Sequence, residues 1–241
     1  KILKIATESD AMKKYHELGT PVNVVPLSTA GGLPTRNLSQ TSFENAQEID
    51  GVAFAEEILL RKLSCSGCPV GCIHIALLRQ EYGPGYETTF AGVGYDYELI
   101  FALGSMVGIG NKSEVLSLID AVEEYGLDAM STGVILAWIT EAYERGIVTR
   151  EMLGTDVSFG DAAAYLGIIR NIVSRPNEFY RDVGMGLAYL AEKYGGKAFA
   201  MVLGGHEMTG YHTGYGSMLG QAVGTRPSPL DNAGYALDQT M

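Results

Sequence analysis

The stretch NKSEVLSLIDAVEEYGLDAMSTGVILAWITEAYERG, residues 111–146, carries the clearest structural signals in the chain. It opens on Asn111, a preferred N-cap residue, and Glu114 three positions later fits the pattern of a capping box. Gly126 stands where a left-handed C-cap residue ends a helix. Between these points apolar residues recur at the spacing of one helix face: Val115, Leu118, Ile119 and Val122. The pattern predicts a helix between Asn111 and Gly126.

The second half of the stretch predicts another helix, with Ser131 or Thr132 as its N-cap and Gly146 as its end. Outward from this pair, three more helices are predicted, over DGVAFAEEILLRKL (50–63), DAAAYLGIIRNIV (161–173) and GMGLAYLAEKYGG (184–196). In the first of these Asp50 is the N-cap, and the apolar stripe is Val52, Ala55, Leu59 and Leu63. The best short strand candidate is VNVVPL, Val22 to Leu27. The predicted fold class is therefore mainly α.

Composition narrows the class of protein. The 241 residues are 46% hydrophobic and 19% charged, which is typical of a globular chain with a real core. The sequence contains neither a signal peptide nor an apolar run of the ~18–20 residues that span a bilayer. A net charge of −11 argues against nucleic acid as a main partner, because phosphate binding needs a basic face. We also expect a chain cut from a longer polypeptide, since it begins KILKIATESD without Met.

Glycine is abundant, at 31 residues, and clusters in residues 81–96 and 203–224. We place a change of subdomain at the second cluster, which gives one helical domain over residues 1–200 and the start of a second over 201–241. Neither cluster is a dinucleotide fingerprint, because Gly92-x-Gly94 lacks a third glycine at the required offset.

All three cysteines lie within CSGCPVGCIH, residues 65–74. Cys65, Cys68 and Cys72 are too close together for a disulfide framework and fit a reducing compartment, which we take to be the cytoplasm. Closely spaced thiolates on a Gly- and Pro-containing loop are typical ligands of a [4Fe–4S] cluster, although such a cluster usually has four. The alternatives are a zinc site completed by His74, a radical S-adenosylmethionine site, whose spacings run in the reverse order, and inert buried thiols. We favour a cluster whose fourth cysteine lies outside the 241 residues.

Several segments together resemble the aldehyde:ferredoxin oxidoreductase family of tungsten or molybdenum pterin enzymes. RKLSCSGCPVGC (61–72) resembles the family's cluster loop, and EEYGLDAMSTGVILAWITEAYERG (123–146) resembles its pterin motif and the helix after it. The flanking segments agree in the same order: residues 31–51, 94–111 and 186–214.

The resemblance implies a chain made of the family's helical domains 2 and 3, without the N-terminal β-rich domain. In full-length members two pterin dithiolenes hold the metal. A [4Fe–4S] cluster beside one pterin passes electrons to ferredoxin. The implied activity is oxidation of a small aldehyde to a carboxylic acid. The second pterin motif and the fourth cluster cysteine are then expected outside this chain.

The resemblance also assigns roles residue by residue. Cys65, Cys68 and Cys72 match the cluster ligands, and Gly126, Leu127 and Asp128 match the pterin motif, whose leading Asp is replaced here by Glu123. Glu98 falls where the family carries a glutamate near the metal, and a carboxyl group in a dry pocket can exchange protons with substrate. Glu87 is a second candidate for that role, and Tyr95 and Tyr97 are candidates to line the pocket.

The family's metal-site histidine is expected in a segment that TRPSPLDNAGY (225–235) resembles, where this chain offers only Asn232. His206 and His212 are then expected to be solvated loop residues. The sequence therefore predicts a substrate pocket that differs from that of typical members.

The main hypothesis is thus a tungsten- or molybdenum-bispterin oxidoreductase with ferredoxin and an aldehyde as partners, and with neither nucleic acid nor membrane. Its oligomeric state is left open, a homo-oligomer included. Three alternatives remain: a relative that reduces aryl acyl thioesters, an electron-transfer module that holds only the cluster, and a zinc-stabilised helical scaffold.

Overall fold

A computed structural model describes residues 2–85, 87–224 and 237–238. Twelve α-helices make up most of this part of the chain. They are α1 Ile2–Glu8, α2 Asp10–Leu18, α3 Val24–Thr29, α4 Gly51–Glu57, α5 Tyr97–Leu103, α6 Lys112–Glu124, α7 Ala129–Glu144, α8 Arg150–Leu153, α9 Ala162–Ser174, α10 Glu178–Val183, α11 Leu187–Tyr194 and α12 Tyr215–Val223. The strands are β1 Leu59–Leu63, β2 Ile73–Glu81, β3 Thr88–Tyr95, β4 Val202–Leu203 and β5 His206–Glu207. The mainly α fold class is confirmed.

Helix α7 lies at the centre of the core, with its residues buried continuously from Thr132 to Thr140. It packs closely against α5, because Gly133 has no side chain to separate the two backbones. A Cβ atom at Gly133 would lie 2.3 Å from the Ala102 carbonyl oxygen. The helix begins one turn earlier than the sequence predicted. Its N-cap is Asp128, whose Oδ1 accepts the Ser131 amide at 2.7 Å. The expectation of a Ser131 or Thr132 cap was wrong.

Helix α6 follows the prediction closely. The Asn111 side chain accepts the amides of Ser113 and Glu114 at 2.9 and 3.2 Å, and the predicted apolar face is buried. Gly126 adopts a left-handed φ of +66° where the helix ends. The predicted helices over 161–173 and 184–196 are present as α9 and α11.

The three-stranded antiparallel sheet, in the order β1-β2-β3, is the main departure from the predicted structure. The helix predicted over 50–63 is capped by Asp50 as expected but ends at Glu57, and the chain continues as β1. Leu63 pairs with Ile73 of β2, so backbone pairing across the cysteine loop replaces the last turns of the helix. Val52, which the sequence placed on the buried stripe, is 40% exposed, while Phe54 is fully buried.

The strand predicted over Val22–Leu27 is helical instead. It forms the end of a 3₁₀ turn, Thr20–Asn23, and the start of α3. Pro26 lies in the first turn of α3, where its missing N–H removes no helical hydrogen bond. Val24 and Leu27 still enter the core, so the apolar pattern is satisfied by a helix.

The boundary predicted near residue 200 stays a prediction. Strand β5 packs against α7 and α11, which connects the described start of the second segment to the first. Among the described residues no single helix is long and apolar enough to cross a membrane. One pair, Tyr97–Val107 and Lys112–Glu124, reaches that length and composition jointly, with a 113° bend between its members.

Candidate functional site

The cysteine loop connects β1 to β2 and holds all three thiols unpaired. The Cys68 amide donates to the Cys65 carbonyl oxygen at 3.0 Å, which closes a turn. Gly67 and Gly71 have φ of +74° and +69°, a left-handed conformation that side-chain-bearing residues rarely adopt. These two glycines let the short loop bend between its cysteines.

The chemistry of the thiols fits a cationic iron centre. The pKa of Cys72 is raised by burial and, to a smaller degree, by the negative charges of Cys65 and Cys68. A group of mutually repelling thiolates is stabilised when a positive metal centre binds them. The residues present therefore fit three ligands of an iron–sulfur cluster.

His74 does not join the thiols. Its side chain is fully buried on the inner face of the sheet, with Nε2 3.1 Å from the His16 carbonyl oxygen and Nδ1 3.3 Å from the Tyr95 hydroxyl. Both ring nitrogens are thus occupied. Over the residues that the structure describes, no group of three or more His, Cys, Asp or Glu side chains could hold a single metal ion. The zinc hypothesis loses its predicted fourth ligand.

His16 braces the loop from outside and was missed in the sequence. Its Nδ1 lies 2.7 Å from the Val70 carbonyl oxygen, between Cys68 and Cys72. A Cβ atom on Gly71 would lie 3.0 Å from the same nitrogen. A histidine 54 positions from its partner gives no local sequence signal for this contact.

A cavity of about 300 Å³ brings three of the predicted site residues together: Cys72, Glu98 and Glu123. Cys72 arrives from the cysteine loop, Glu98 from the first turn of α5, and Glu123 from the last turn of α6. Six further residues line the cavity: Thr20, Ile73, Gly94, Tyr95, Asp96 and Leu99. One cluster ligand, the candidate catalytic carboxylate and the leading residue of the pterin motif therefore share one space.

Tyr211 holds Glu98 in place. Its hydroxyl donates a hydrogen bond to Glu98 Oε1, and its ring packs 5.1 Å from that of Tyr97. Tyr97 is fully buried and donates to the Gly210 carbonyl oxygen at 2.6 Å, so it is a core residue rather than a lining one. Burial and the charge of Glu98 raise the pKa of Tyr211. This hydroxyl therefore stays protonated and acts as a donor.

Asp96 is a third carboxyl group in this cavity, and sequence analysis missed it. It caps α5, with Oδ1 accepting the Leu99 amide at 3.1 Å. Burial, and secondly the charge of Glu98, raises its pKa to about 6. A signal was available in the sequence, because Asp96 directly precedes a helix and lies two positions from Glu98.

The predicted pterin motif is divided between two cavities. Glu123 faces the cavity just described, while Leu127 and Asp128 line a second one of about 320 Å³. Gly126 joins the two parts, with its amide donating to the Glu123 carbonyl oxygen at 3.0 Å. The motif therefore forms the junction of α6 and α7, as the sequence predicted, with a carboxylate on either side.

Glu207 closes the second cavity and was also missed. Its Oε1 accepts the Leu187 amide at 2.8 Å and its Oε2 accepts the Ser131 hydroxyl at 3.1 Å. One carboxylate thus connects β5 to the first turns of α7 and α11. The residue lies in a glycine-rich cluster, where neighbouring residues give no periodic pattern to mark it.

The remaining candidates fall elsewhere. Glu87 is exposed near the tip of the β2–β3 hairpin and lines neither cavity. His206 is exposed, whereas His212 is half-buried and its pKa is lowered by burial, so the expectation of a solvated His212 was wrong. Asn232 and the segment around it lie outside the described residues.

Comparison with known proteins places the chain in context. Residues 1–234 match the model of the family described as "Aldehyde ferredoxin oxidoreductase, domains 2 & 3". Tungsten-containing aldehyde ferredoxin oxidoreductases from Pyrococcus abyssi and Thermococcus kodakarensis are each 32% identical to it over 88% of the chain, which spans 33% and 34% of their lengths. The chain thus spans about a third of these curated relatives.

Two further similarities broaden the comparison. A Pyrococcus furiosus protein named "Aliphatic sulfonate oxidoreductase, WOR-like subunit" is 36% identical over 59% of this chain and 22% of its own length. The active site complex of benzoyl coenzyme A reductase, solved with 1,5-dienoyl-CoA, shares the fold. Its TM-score is 0.59 at 17% identity, covering 91% of this chain and 31% of that one.

Proposed function

The chain belongs to the aldehyde ferredoxin oxidoreductase family, and from this premise we propose that it is part of a tungsten- or molybdenum-pterin enzyme that oxidises an aldehyde to a carboxylic acid. The full protein would pass the electrons through a [4Fe–4S] cluster to ferredoxin in the cytoplasm. One observation carries the proposal: the cavity that joins Cys72, Glu98 and Glu123. It sets an electron-accepting loop beside a carboxylate that can exchange protons.

The residues present would supply part of the site of each cofactor. Cys65, Cys68 and Cys72 would bind three irons of the cluster, and the fourth ligand would come from another part of the protein. Glu123 and Asp128 would accept hydrogen bonds from the pterin, a heterocycle rich in N–H donors. The bound metal would supply the two-electron redox chemistry, which no amino-acid side chain provides.

Glu98 would act as the proton-transfer group. Oxidation of an aldehyde consumes one water and yields a carboxylate, three protons and two electrons, so a base near the substrate is required. The Tyr211 hydroxyl holds one oxygen of Glu98, which fixes the direction of the carboxylate and leaves the other oxygen to meet substrate or water. Asp96, whose pKa is about 6, would receive or return protons beside it.

The test uses the full-length protein, prepared without oxygen and assayed with a panel of aldehydes and a viologen acceptor. Glu98→Gln should lower kcat by roughly two to four orders of magnitude, because general acid–base catalysis contributes about that much. The cluster absorbance and metal content should stay unchanged. Glu87→Gln is the matched control and should retain activity, since Glu87 lines neither cavity. Equal loss in the two variants would refute the role of Glu98.

A second variant tests the cluster ligands. Cys68→Ser should abolish the visible absorbance of the cluster, because serine is a poor substitute for a thiolate ligand of iron. Retained absorbance would remove Cys68 from the ligand set. Substrate assays and metal content distinguish the other hypotheses. Reduction of an aryl acyl thioester without aldehyde oxidation would favour the thioester-reducing relative. Iron without tungsten or molybdenum would favour the electron-transfer module.

A further inference from the structure

The cysteine loop and its two flanking strands differ in charge from the rest of the protein. Residues 59–81, which form β1, the loop and β2, contain three basic side chains, those of Arg61, Lys62 and Arg79, and one acidic side chain, that of Glu81 at the end of β2. The whole chain has 17 basic and 28 acidic residues, so acidic residues outnumber basic ones by about two to one elsewhere. The segment that presents the thiols is therefore a basic region on an acidic protein.

The same segment exposes an apolar surface. Arg61 pairs with Ile75 and Leu63 with Ile73, and directly paired residues of antiparallel strands project to the same face. We call this the outer sheet face. A Cβ atom on Gly92 would lie 3.3 Å from Ile75 Cγ2 and 3.7 Å from Leu60 Cδ2, so Leu60 also lies on this face, at the irregularity in β1 between Leu59 and Arg61. The apolar members of this face that are prominently exposed are Leu60 (50%), Leu63 (38%), Ile73 (36%) and Phe90 (71%).

The basic side chains of this segment are free of direct ion pairs within the described structure. Arg79 is the register partner of Phe90, so it shares the face with Arg61. Across residues 2–85, 87–224 and 237–238, Arg61, Lys62 and Arg79 make no ion pair with a carboxylate. Cys65 is exposed in the loop that leads out of β1.

We propose that the outer sheet face is the docking surface for an acidic one-electron carrier protein of the ferredoxin class, the basic side chains of Arg61 and Arg79 meeting carboxylates of the carrier. The proposal rests on the proposed function, which makes the cysteine loop the exit for electrons. An apolar centre with charged residues at its edge is the usual anatomy of a protein interface, and the charges mainly accelerate encounter.

The two-electron oxidation also requires a surface that carriers can bind and leave repeatedly. Oxidation of one aldehyde releases two electrons, and each carrier accepts one, so two carriers must bind and leave in turn. A small face held by a few screened charges suits such rapid exchange, because rim charges act mainly on the association rate. The attraction should therefore weaken with ionic strength.

The experiment measures electron transfer by the anaerobic, full-length holoenzyme to an acidic ferredoxin and, separately, to a viologen. The double variant Arg61→Glu/Arg79→Glu is compared with Arg170→Glu/Arg181→Glu, which makes the same charge change at exposed positions of α9 and α10. In the first variant kcat/KM for ferredoxin should fall roughly tenfold or more and lose most of its salt dependence, whereas viologen activity and iron content stay unchanged. The control should keep at least half of its ferredoxin kcat/KM.

Two results would overturn the proposal. Equal losses in both variants would mean that ferredoxin responds only to total charge, and an unchanged kcat/KM in the first variant would mean that the face is covered or unused. Viologen-linked aldehyde oxidation reports on the proposed function independently. If that activity is absent even in the unsubstituted protein, titration with ferredoxin by calorimetry still tests the docking surface, with weaker binding expected only in Arg61→Glu/Arg79→Glu.

Discussion

Two roles of Asp128 can be separated by mutation: the helix cap that the structure shows and the pterin binding that we propose. Its Oδ1 caps α7 through the Ser131 amide at 2.7 Å, and its side chain also lines the second cavity. Asp128→Ala should cost about 1 kcal/mol by loss of the cap. In a chain of this length that lowers Tm by about 2–4 °C. Asp128→Ser keeps a capping oxygen and should leave Tm nearly unchanged.

Pterin binding should respond differently. Both substitutions remove the carboxylate, and a hydrogen bond to a charged group is worth roughly 1.5–3 kcal/mol, so pterin affinity should fall about tenfold or more in each. Tm is measured on cofactor-free protein, because lost cofactor binding would otherwise lower it as well. Pterin content is measured on the full-length protein after anaerobic isolation.

Asp161 provides the matched control. It caps α9 through the Ala164 amide at 2.9 Å and lines neither cavity. Asp161→Ala should therefore lose as much stability as Asp128→Ala and keep its pterin. Full pterin content in Asp128→Ser would refute the binding role and leave Asp128 as a cap alone.

Three further predictions concern packing and protons. Gly133→Ala should destabilise the fold by about 1–3 kcal/mol, because the new methyl group meets a carbonyl oxygen of α5. Gly167→Ala is the control and should not lower the free energy of unfolding, because its methyl group meets open space. The urea midpoints of the two variants measure both effects. Tyr211→Phe should lower aldehyde turnover roughly tenfold, since the hydrogen bond that holds Glu98 is removed. Folding raises the pKa of Asp96 to about 6, so the folded protein keeps a proton that the unfolded chain has released. The free energy of unfolding should therefore fall as pH rises from about 4 to 6. Asp96→Asn should remove this fall, which urea unfolding at a series of pH values measures.

Periodicity was enough to predict the helices that bury one face. α6, α9 and α11 have clear apolar stripes and end signals, and α6 has the cap and the left-handed glycine that the sequence indicated. These features depend on residues within a few positions of one another. Local pattern therefore predicts them well.

The sheet could not be predicted in this way, because β1 exists through its pairing with β2 across the cysteine loop. Leu59 and Leu63 fit a helical stripe equally well, and only the partner strand decides between them. The site residues likewise could be predicted where they lie close together in the sequence and could not where they are far apart. The cysteines and the Glu123–Asp128 motif stand in short segments, whereas Tyr211 reaches Glu98 across 113 positions and His16 reaches Val70 across 54.

Metal analysis of the full-length protein, purified without oxygen, tests the central claim most directly. We expect tungsten or molybdenum near one per chain together with about four irons. Iron without either heavier metal, or zinc alone, would contradict it, because the cavity shared by Cys72, Glu98 and Glu123 would then have no redox metal beside it.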